Sequence, residues 1–182
     1  EPRYSLERAD VIVSLDADFL GSGPAMLRLA REFADRRDVQ GPNDTMNRLY
    51  VVEPLYTITG ASADHRLRVR ACDVLAVAAL LAKELGLPKP PGAAPPNLTE
   101  AAVPHEKWIA AVARDLLAHR GRSLVIAGDA QPPEVHALVH VMNAYLGNLG
   151  VTVTMAPSPI AEAGEPSHEL GRLADALGAG EV

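Results

Sequence analysis

The strongest constraint on this fold lies near the start of the chain, in Val11-Ile12-Val13-Ser14-Leu15 and the turn that follows. A short run of mostly β-branched and apolar residues suits a strand buried on both faces and is too brief for an ordinary helix. The turn, Asp16-Ala17-Asp18-Phe19-Leu20-Gly21-Ser22-Gly23, carries two carboxylates and two glycines. Pro24 then opens a helix, because its fixed φ suits a first helical turn. Strand, polar turn and helix make the first half of a βαβ unit. Sheets built from such units bind ligands in the crevice beyond the carboxyl ends of their strands. Asp16 and Asp18 therefore stand where a fold of this kind keeps its function.

The rest of the chain repeats the alternation. From about Pro24 to Arg37, Met26, Leu29, Ala30 and Phe33 recur at helical spacing, with Arg28, Arg31, Glu32 and Asp35 on the other face. Gln40 to Asn47 reads as loop, and Arg48-Leu49-Tyr50-Val51-Val52 as a second strand ending at Glu53-Pro54. After the polar stretch Tyr56 to His65, Leu67-Arg68-Val69-Arg70 reads as a short edge strand with its arginines facing one way. A nearly all-apolar helix from Asp73 to Leu85 is expected deep in the core, stopped by Gly86. The five prolines between Leu87 and Asn97 predict a stiff connector, read as a crossover. A third helix is expected from Pro104 to His119, with Trp108, Val112 and Leu116 inward. A third strand, Ser123 to Ala127, runs into Gly128-Asp129-Ala130. A fourth helix, Pro133 to Leu146, ends in Gly147-Asn148-Leu149-Gly150, and Val151 to Met155 reads as a fourth strand. A Pro/Ala/Gly loop and a short helix near Ser167 to Leu177 complete the chain. The expectation is one α/β domain over residues 1–182, a Rossmann-like parallel sheet with helices on both faces.

Composition narrows the function. A length of 182 residues allows one domain with a real core, built mainly from Leu, Val and Ala because aromatic residues are only 4%. The net charge of −6, with no Lys/Arg run, speaks against a nucleic-acid partner. The single cysteine, Cys72, excludes an internal disulfide and any all-cysteine iron–sulfur or zinc site within the chain. No apolar run has the length of a membrane span, so direct membrane insertion is not expected, and no targeting signal is visible. Beginning on Glu1-Pro2-Arg3-Tyr4 without methionine, the chain reads as a piece of a longer subunit.

Acids follow three of the expected strands: Asp16 the first, Glu53 the second and Asp129, after Gly128, the third. In a parallel sheet those ends share one edge, so the acids could line one crevice. They could accept hydrogen bonds from ribose hydroxyls or a guanine ring, or hold Mg²⁺. In the plainer reading they only finish strands and cap helices. Asp16-Ala17-Asp18 also resembles the nucleophile and acid/base pair of haloacid-dehalogenase-type phosphatases. It lacks that family's later lysine and second acidic pair. His136 and His140, spaced i, i+4, could ligate a metal together, but no third ligand suggests itself and packing is the expected role. Asp64-His65-Arg66 is expected to orient its loop or meet an anion. Cys72, at a helix start, is expected to be buried and inert. Gly21-Ser22-Gly23 before a helix could cradle a phosphate, although it forms neither a Walker loop nor a full Gly-x-Gly-x-x-Gly.

Taken in order, these blocks resemble the nucleotide-binding middle region of the molybdopterin oxidoreductase family. The similar segments are Ala9-Asp10-Val11-Ile12-Val13 with its acidic turn and Arg48-Leu49-Tyr50-Val51-Val52-Glu53-Pro54. Ala63-Asp64-His65-Arg66-Leu67-Arg68-Val69-Arg70 is a third, and Ser123-Leu124-Val125-Ile126-Ala127-Gly128 with Met142-Asn143-Ala144-Tyr145-Leu146-Gly147-Asn148-Leu149-Gly150 a fourth. Ser14 to Gly21, Thr57 to Arg66 and Ala127 to Leu138 look like one branch of that family, the large iron–sulfur subunits of alternative complex III, a quinol:electron-acceptor oxidoreductase. That branch is understood to keep the fold without the molybdenum cofactor.

The departures point the same way. Active family members carry Gly-Ala-Asn-Pro after the first strand, where this chain has Asp16-Ala17-Asp18-Phe19. They carry Asp-Pro-Arg after the second, where it has Glu53-Pro54-Leu55. The resemblance thus implies a cofactor-free scaffold domain in a respiratory quinol-oxidising complex, with no activity of its own. Its partners would be other domains of the same subunit and other subunits of the membrane-associated complex, on the periplasmic face of a bacterial membrane. Iron–sulfur clusters are expected elsewhere in the full subunit. The candidate crevice of Asp16, Asp18, Glu53, Gly128 and Asp129 is expected to be vacant. One alternative is that it holds the guanine-nucleotide arm of a molybdopterin guanine dinucleotide in a true molybdenum enzyme. The other is a Mg²⁺-dependent phosphatase using Asp16.

Overall fold

The computed structural model describes residues 1–87, 105–157 and 166–180. The elements, in chain order, begin with β1 (Pro2–Tyr4), β2 (Val11–Leu15), α1 (Met26–Asp35), β3 (Arg48–Glu53), α2 (Ile58–Ala61), β4 (His65–Arg68) and α3 (Val74–Glu84). They continue with α4 (Glu106–Ala118), β5 (Ser123–Ala127), α5 (Pro133–Tyr145), β6 (Val153–Met155) and α6 (Pro166–Ala179). Two short 3-10 turns, Leu6–Arg8 and Ala71–Asp73, lead into β2 and α3.

Four strands form a parallel sheet in the order β4-β3-β2-β5, the α/β Rossmann-like arrangement expected. Register runs Val11 against Arg48 and Ser123, through Leu15 against Val52 and Ala127. Because side chains alternate along a strand, the sheet sorts its apolar residues onto two faces. Val11, Val13, Leu15, Val52 and Val125 meet α3, α4 and α5 on one face. Ile12, Leu49, Val51, Leu124 and Ile126 meet Leu29 and Phe33 of α1, with Leu6, on the other. α3 is apolar nearly all round and buries Val74, Ala76, Val77, Ala78, Leu80 and Leu81, as its sequence demands.

The expected strands Val11–Leu15 and Ser123–Ala127 are met residue for residue, and the expected helices to within two residues at each end among the described residues. Three readings need correction. The edge strand is His65–Arg68, not Leu67–Arg70: Val69 N donates to Glu53 O at 3.2 Å, and Arg70 begins the 3-10 turn, where it pairs with Asp73. Arg66 and Arg68, rather than Arg68 and Arg70, share a face of that strand. The polar stretch Tyr56 to His65 contains the one-turn helix α2, started by Thr57, whose Oγ1 accepts from Gly60 N at 3.0 Å.

The fourth expected strand, β6, does not join the main sheet. It pairs with β1 in a separate two-stranded sheet. The reason lies at the outer edge of β5, where side chains replace a neighbouring strand. Asn143 Nδ2 donates to Val125 O at 2.8 Å while its Oδ1 accepts from Val125 N at 3.0 Å. Thr152 Oγ1 donates to Ser123 O at 2.6 Å, and Asn148 Nδ2 donates to Asn143 Oδ1 at 2.9 Å.

Compactness divides the chain into two units. One, Tyr4–Thr154, holds the sheet with α1 to α5. The other comprises Glu1–Arg3 and Met155–Val182, including α6, on which Leu170, Leu173 and Leu177 are exposed. Most of the expected connector, residues 88–97, and the expected helix start at Pro104 lie outside the described residues, as does the expected loop from 158 to 165.

Candidate functional site

The chain passes from β2 to β3 on one side and reaches β5 on the other, so the sheet's switch point lies between the carboxyl ends of β2 and β5. Asp16 stands there. Its backbone is left-handed at φ 57°, a conformation Asp tolerates better than most residues. Asp16 N donates to Val52 O at 2.7 Å, which keeps it in register with β3. From the β5 side, Gln131 Nε2 donates to Asp16 Oδ2 at 2.7 Å. Gly128 lies so close that a Cβ there would fall 1.8 Å from Asp16 O, which is why the position after β5 needs glycine. Burial pushes the Asp16 carboxyl above its ordinary value. The Gln131 hydrogen bond opposes that rise, and the negative charge of Glu53 adds to it.

Glu53, at the end of β3, is 2% exposed and has both oxygens engaged. Arg66 Nε from β4 pairs with Oε1, and Thr57 Oγ1 donates to Oε2 at 2.6 Å. Gly60 of α2 packs directly over this carboxylate: a Cβ at that position would come within 1.8 Å of Oε1. Asp18 is engaged in the same way, its Oδ1 accepting from Thr59 N at 3.0 Å and Thr59 Oγ1 at 2.8 Å. Thr59 Oγ1 in turn accepts from Leu20 N at 3.0 Å, and Ser14 Oγ closes the turn by accepting from Ala17 N at 3.1 Å. The structure therefore brings Asp16, Asp18, Glu53 and Gly128 to one crest of the sheet.

Asp129 follows Gly128 but is exposed. Its charge reaches Tyr4, whose phenol is pushed up to about 12, first by burial and then by Asp129.

In Gly21-Ser22-Gly23 the first two amides are not free for a phosphate. Gly21 N and Ser22 N donate to Asp18 O at 3.1 and 2.8 Å, and the Asp18 carboxylate covers Gly21. The helix begins only at Met26, with no side-chain cap. His136 and His140 are both exposed on α5, so they do not pack as expected. The hydrophobic work of that helix is done by Val135, Val139 and Met142. Cys72 is exposed on its 3-10 turn rather than buried. Asp64 does organise its loop: it pairs with Arg37 and accepts from Leu49 N at 2.8 Å. Burial alone would raise its carboxyl, but those donors outweigh it and hold the group below its ordinary value. Among the described residues no three His, Cys, Asp or Glu side chains gather as metal ligands would, and no described helix is long and apolar enough to cross a membrane.

Sequence reading missed Thr57, Thr59 and Gln131 as partners of the acids. Thr57-Ile58-Thr59-Gly60 carried the signal of a capped turn, whereas Gln131 carried none beyond its place after β5. Chemically the crest is an acceptor-rich surface whose acceptors are largely engaged by donors from its own loops. Compared with models of known protein families and with curated proteins, the chain matches none.

Proposed function

We propose that this chain is a cofactor-free scaffold domain of the molybdopterin-oxidoreductase-like iron–sulfur subunit of a respiratory quinol-oxidising complex. Its partners are other domains of that subunit and neighbouring subunits at the periplasmic face of a membrane. The observation that carries the cofactor-free part is the self-satisfaction of the crest. A nucleotide pyrophosphate needs N–H groups or guanidinia pointed at it. Here Gly21 N, Ser22 N and Thr59 N donate to Asp18, and Arg66 pairs with Glu53. Asp16 and Asp18 add negative charge where the pyrophosphate would lie. The sequence blocks given above support the assignment to a respiratory subunit.

Calorimetric titration of the chain with GDP, with and without Mg²⁺, tests the reading. No saturable binding tighter than roughly 0.1 mM, about −5.5 kcal/mol, is expected. Tighter binding, weakened by Glu53→Gln, would assign the crest to the guanine-nucleotide arm of a molybdenum cofactor instead.

A further inference from the structure

The segment that leaves β3 exposes Leu55, Tyr56 and Ile58 by 73%, 73% and 60%. Exposed apolar residues scattered singly are ordinary, but three large ones within four positions form a patch. Their backbone is held at several points. Thr57 Oγ1 donates to Glu53, Arg66 Nη2 donates to Leu55 O at 3.1 Å, and the Arg66 guanidinium lies 4.8 Å above the Tyr56 ring. Thr57 also caps α2, which fixes Ile58. The donors and acceptors of the crest thus tie an exposed apolar prong to the sheet at several points. A surface ordered beforehand loses less conformational entropy on association.

We propose that Leu55, Tyr56 and Ile58 dock into an apolar depression with a basic rim on a different protein partner of the assembly. This deepens the scaffold reading and rests on it. The charge around the prong selects the partner. Asp18 is bound to Thr59, the residue after Ile58, and Asp16 stands at the end of β2, close enough to Glu53 to feel its charge. Arg66 is neutralised by Glu53 and Arg70 by Asp73, which leaves Arg68, exposed on the outer edge strand, as a cation without an ion-pair partner among the described residues. A second copy of the chain would set two sets of Asp16 and Asp18 against two Arg68, and the acids would repel. A rim of Lys or Arg complements the same crest, and such complementarity sets partner choice and encounter rate. Tyrosine, here Tyr56, is also among the residue types enriched at the energetic centre of interfaces.

The test places a photo-crosslinking benzoylphenylalanine at Ile58 in the full subunit within its natural assembly, with Val39, an exposed loop residue, as the control position. The expected result is an adduct, roughly tenfold above the control, on a different protein surface with Lys or Arg close to the labelled residue. The pair Leu55→Ser with Ile58→Ser should weaken co-purification with that protein by at least about thirtyfold, the loss expected of interface anchors. Its thermal midpoint should match that of the parent chain, because both side chains are exposed. An adduct on a second copy, one on another domain of the same subunit, one on an acidic surface, or yields no better than at Val39 would each overturn the proposal. Those failures leave the scaffold reading standing when GDP does not bind. GDP binding with the adduct present removes the scaffold reading alone.

Discussion

At two places in the sheet, side chains stand in for a missing partner, and they do so with opposite chemistry. The outer edge of β5 is closed by neutral groups. Asn143, Asn148 and Thr152 are all at least 98% buried, and Asn143 presents an amide donor and acceptor to Val125 as a neighbouring strand would. The crest at the carboxyl ends of β2 and β3 is closed by charged groups, Asp16, Asp18 and Glu53, against Gln131, Thr59, Thr57 and Arg66. A primary amide has the valence of a peptide group and titrates nowhere in the biological range, so it seals a buried edge at all pH values. Carboxylates have capacity left after their internal bonds and repel one another, and those of Asp16 and Asp18 remain partly wet. The edge is built to be permanent. The crest keeps the acceptor-rich surface of a ligand-binding fold while its loops occupy the donors a ligand would need.

Breaking the edge should have the largest effect. Asn143→Leu leaves Val125 N–H and C=O unpartnered inside the protein and removes the acceptor of Asn148 Nδ2. Each buried group left unpaired costs about 1–3 kcal/mol, so a loss of about 3–5 kcal/mol is expected from the urea midpoint. The β5 amides should also lose hydrogen-exchange protection before those of β3. A loss under about 1 kcal/mol would mean that another group takes over Val125, and the comparison with the crest would fail.

How much of this was legible depended on what kind of signal each residue leaves. Val11–Leu15 and Ser123–Ala127 announce themselves because burial on both faces demands an uninterrupted apolar run. β1 does not, since Pro2-Arg3-Tyr4 is short and carries no alternation. Asp129, read as the acid after the third strand, is exposed beyond Gly128, but Asp16 and Glu53 were legible as crest acids from their positions after strands, and Asp18 from the turn. Their partners were not, because Thr57, Thr59 and Gln131 act through loop geometry that leaves no period in the sequence. Asn143 shows the limit most clearly. It sits on a helix whose pattern explains only its burial, and its pairing with Val125 depends on where that helix packs. The same limit explains the misplacement of β6: nothing in Val151 to Met155 shows that the edge it would join is already closed by side chains.

The charged crest should give a smaller effect than the edge. Glu53→Gln keeps the shape under Gly60 and one oxygen for Thr57 or Arg66, but it removes the counterion of Arg66. Arg66 is partly exposed and water takes up some of its charge, so about 1–2 kcal/mol is expected, well below the cost of breaking a fully buried pair. Proteolysis between Pro54 and Ile58 should quicken more than global unfolding does, because Glu53 and Arg66 together anchor that segment. Unchanged cleavage alongside lowered global stability would show that the pair serves the sheet and not the loop.

The smallest effect, and the one with the opposite sign, is expected at Asp16. Its carboxyl is raised by burial and by Glu53, against the hydrogen bond from Gln131. The folded protein therefore holds this proton more tightly than the unfolded chain does. By linkage, Asp16 weakens stability as pH rises from its ordinary value of 3.8 through the raised one, and the penalty is complete above that window. Asp64 runs the other way, since its lowered carboxyl contributes stability at neutral pH that is lost on acidification. Asp16→Asn keeps a side chain that tolerates φ 57° and can still accept from Gln131, while it removes the charge beside Glu53. The variant should be as stable as the parent or slightly more so at pH 7, by less than about 1 kcal/mol for a half-exposed group. That advantage should vanish at pH values below the window. Chemical denaturation of both proteins across that range reads the difference directly. An Asp16→Asn variant less stable than the parent at pH 7 would mean that the carboxylate forms a favourable charged contact at the switch point. The crest would then resemble the permanent edge more closely than its chemistry suggests.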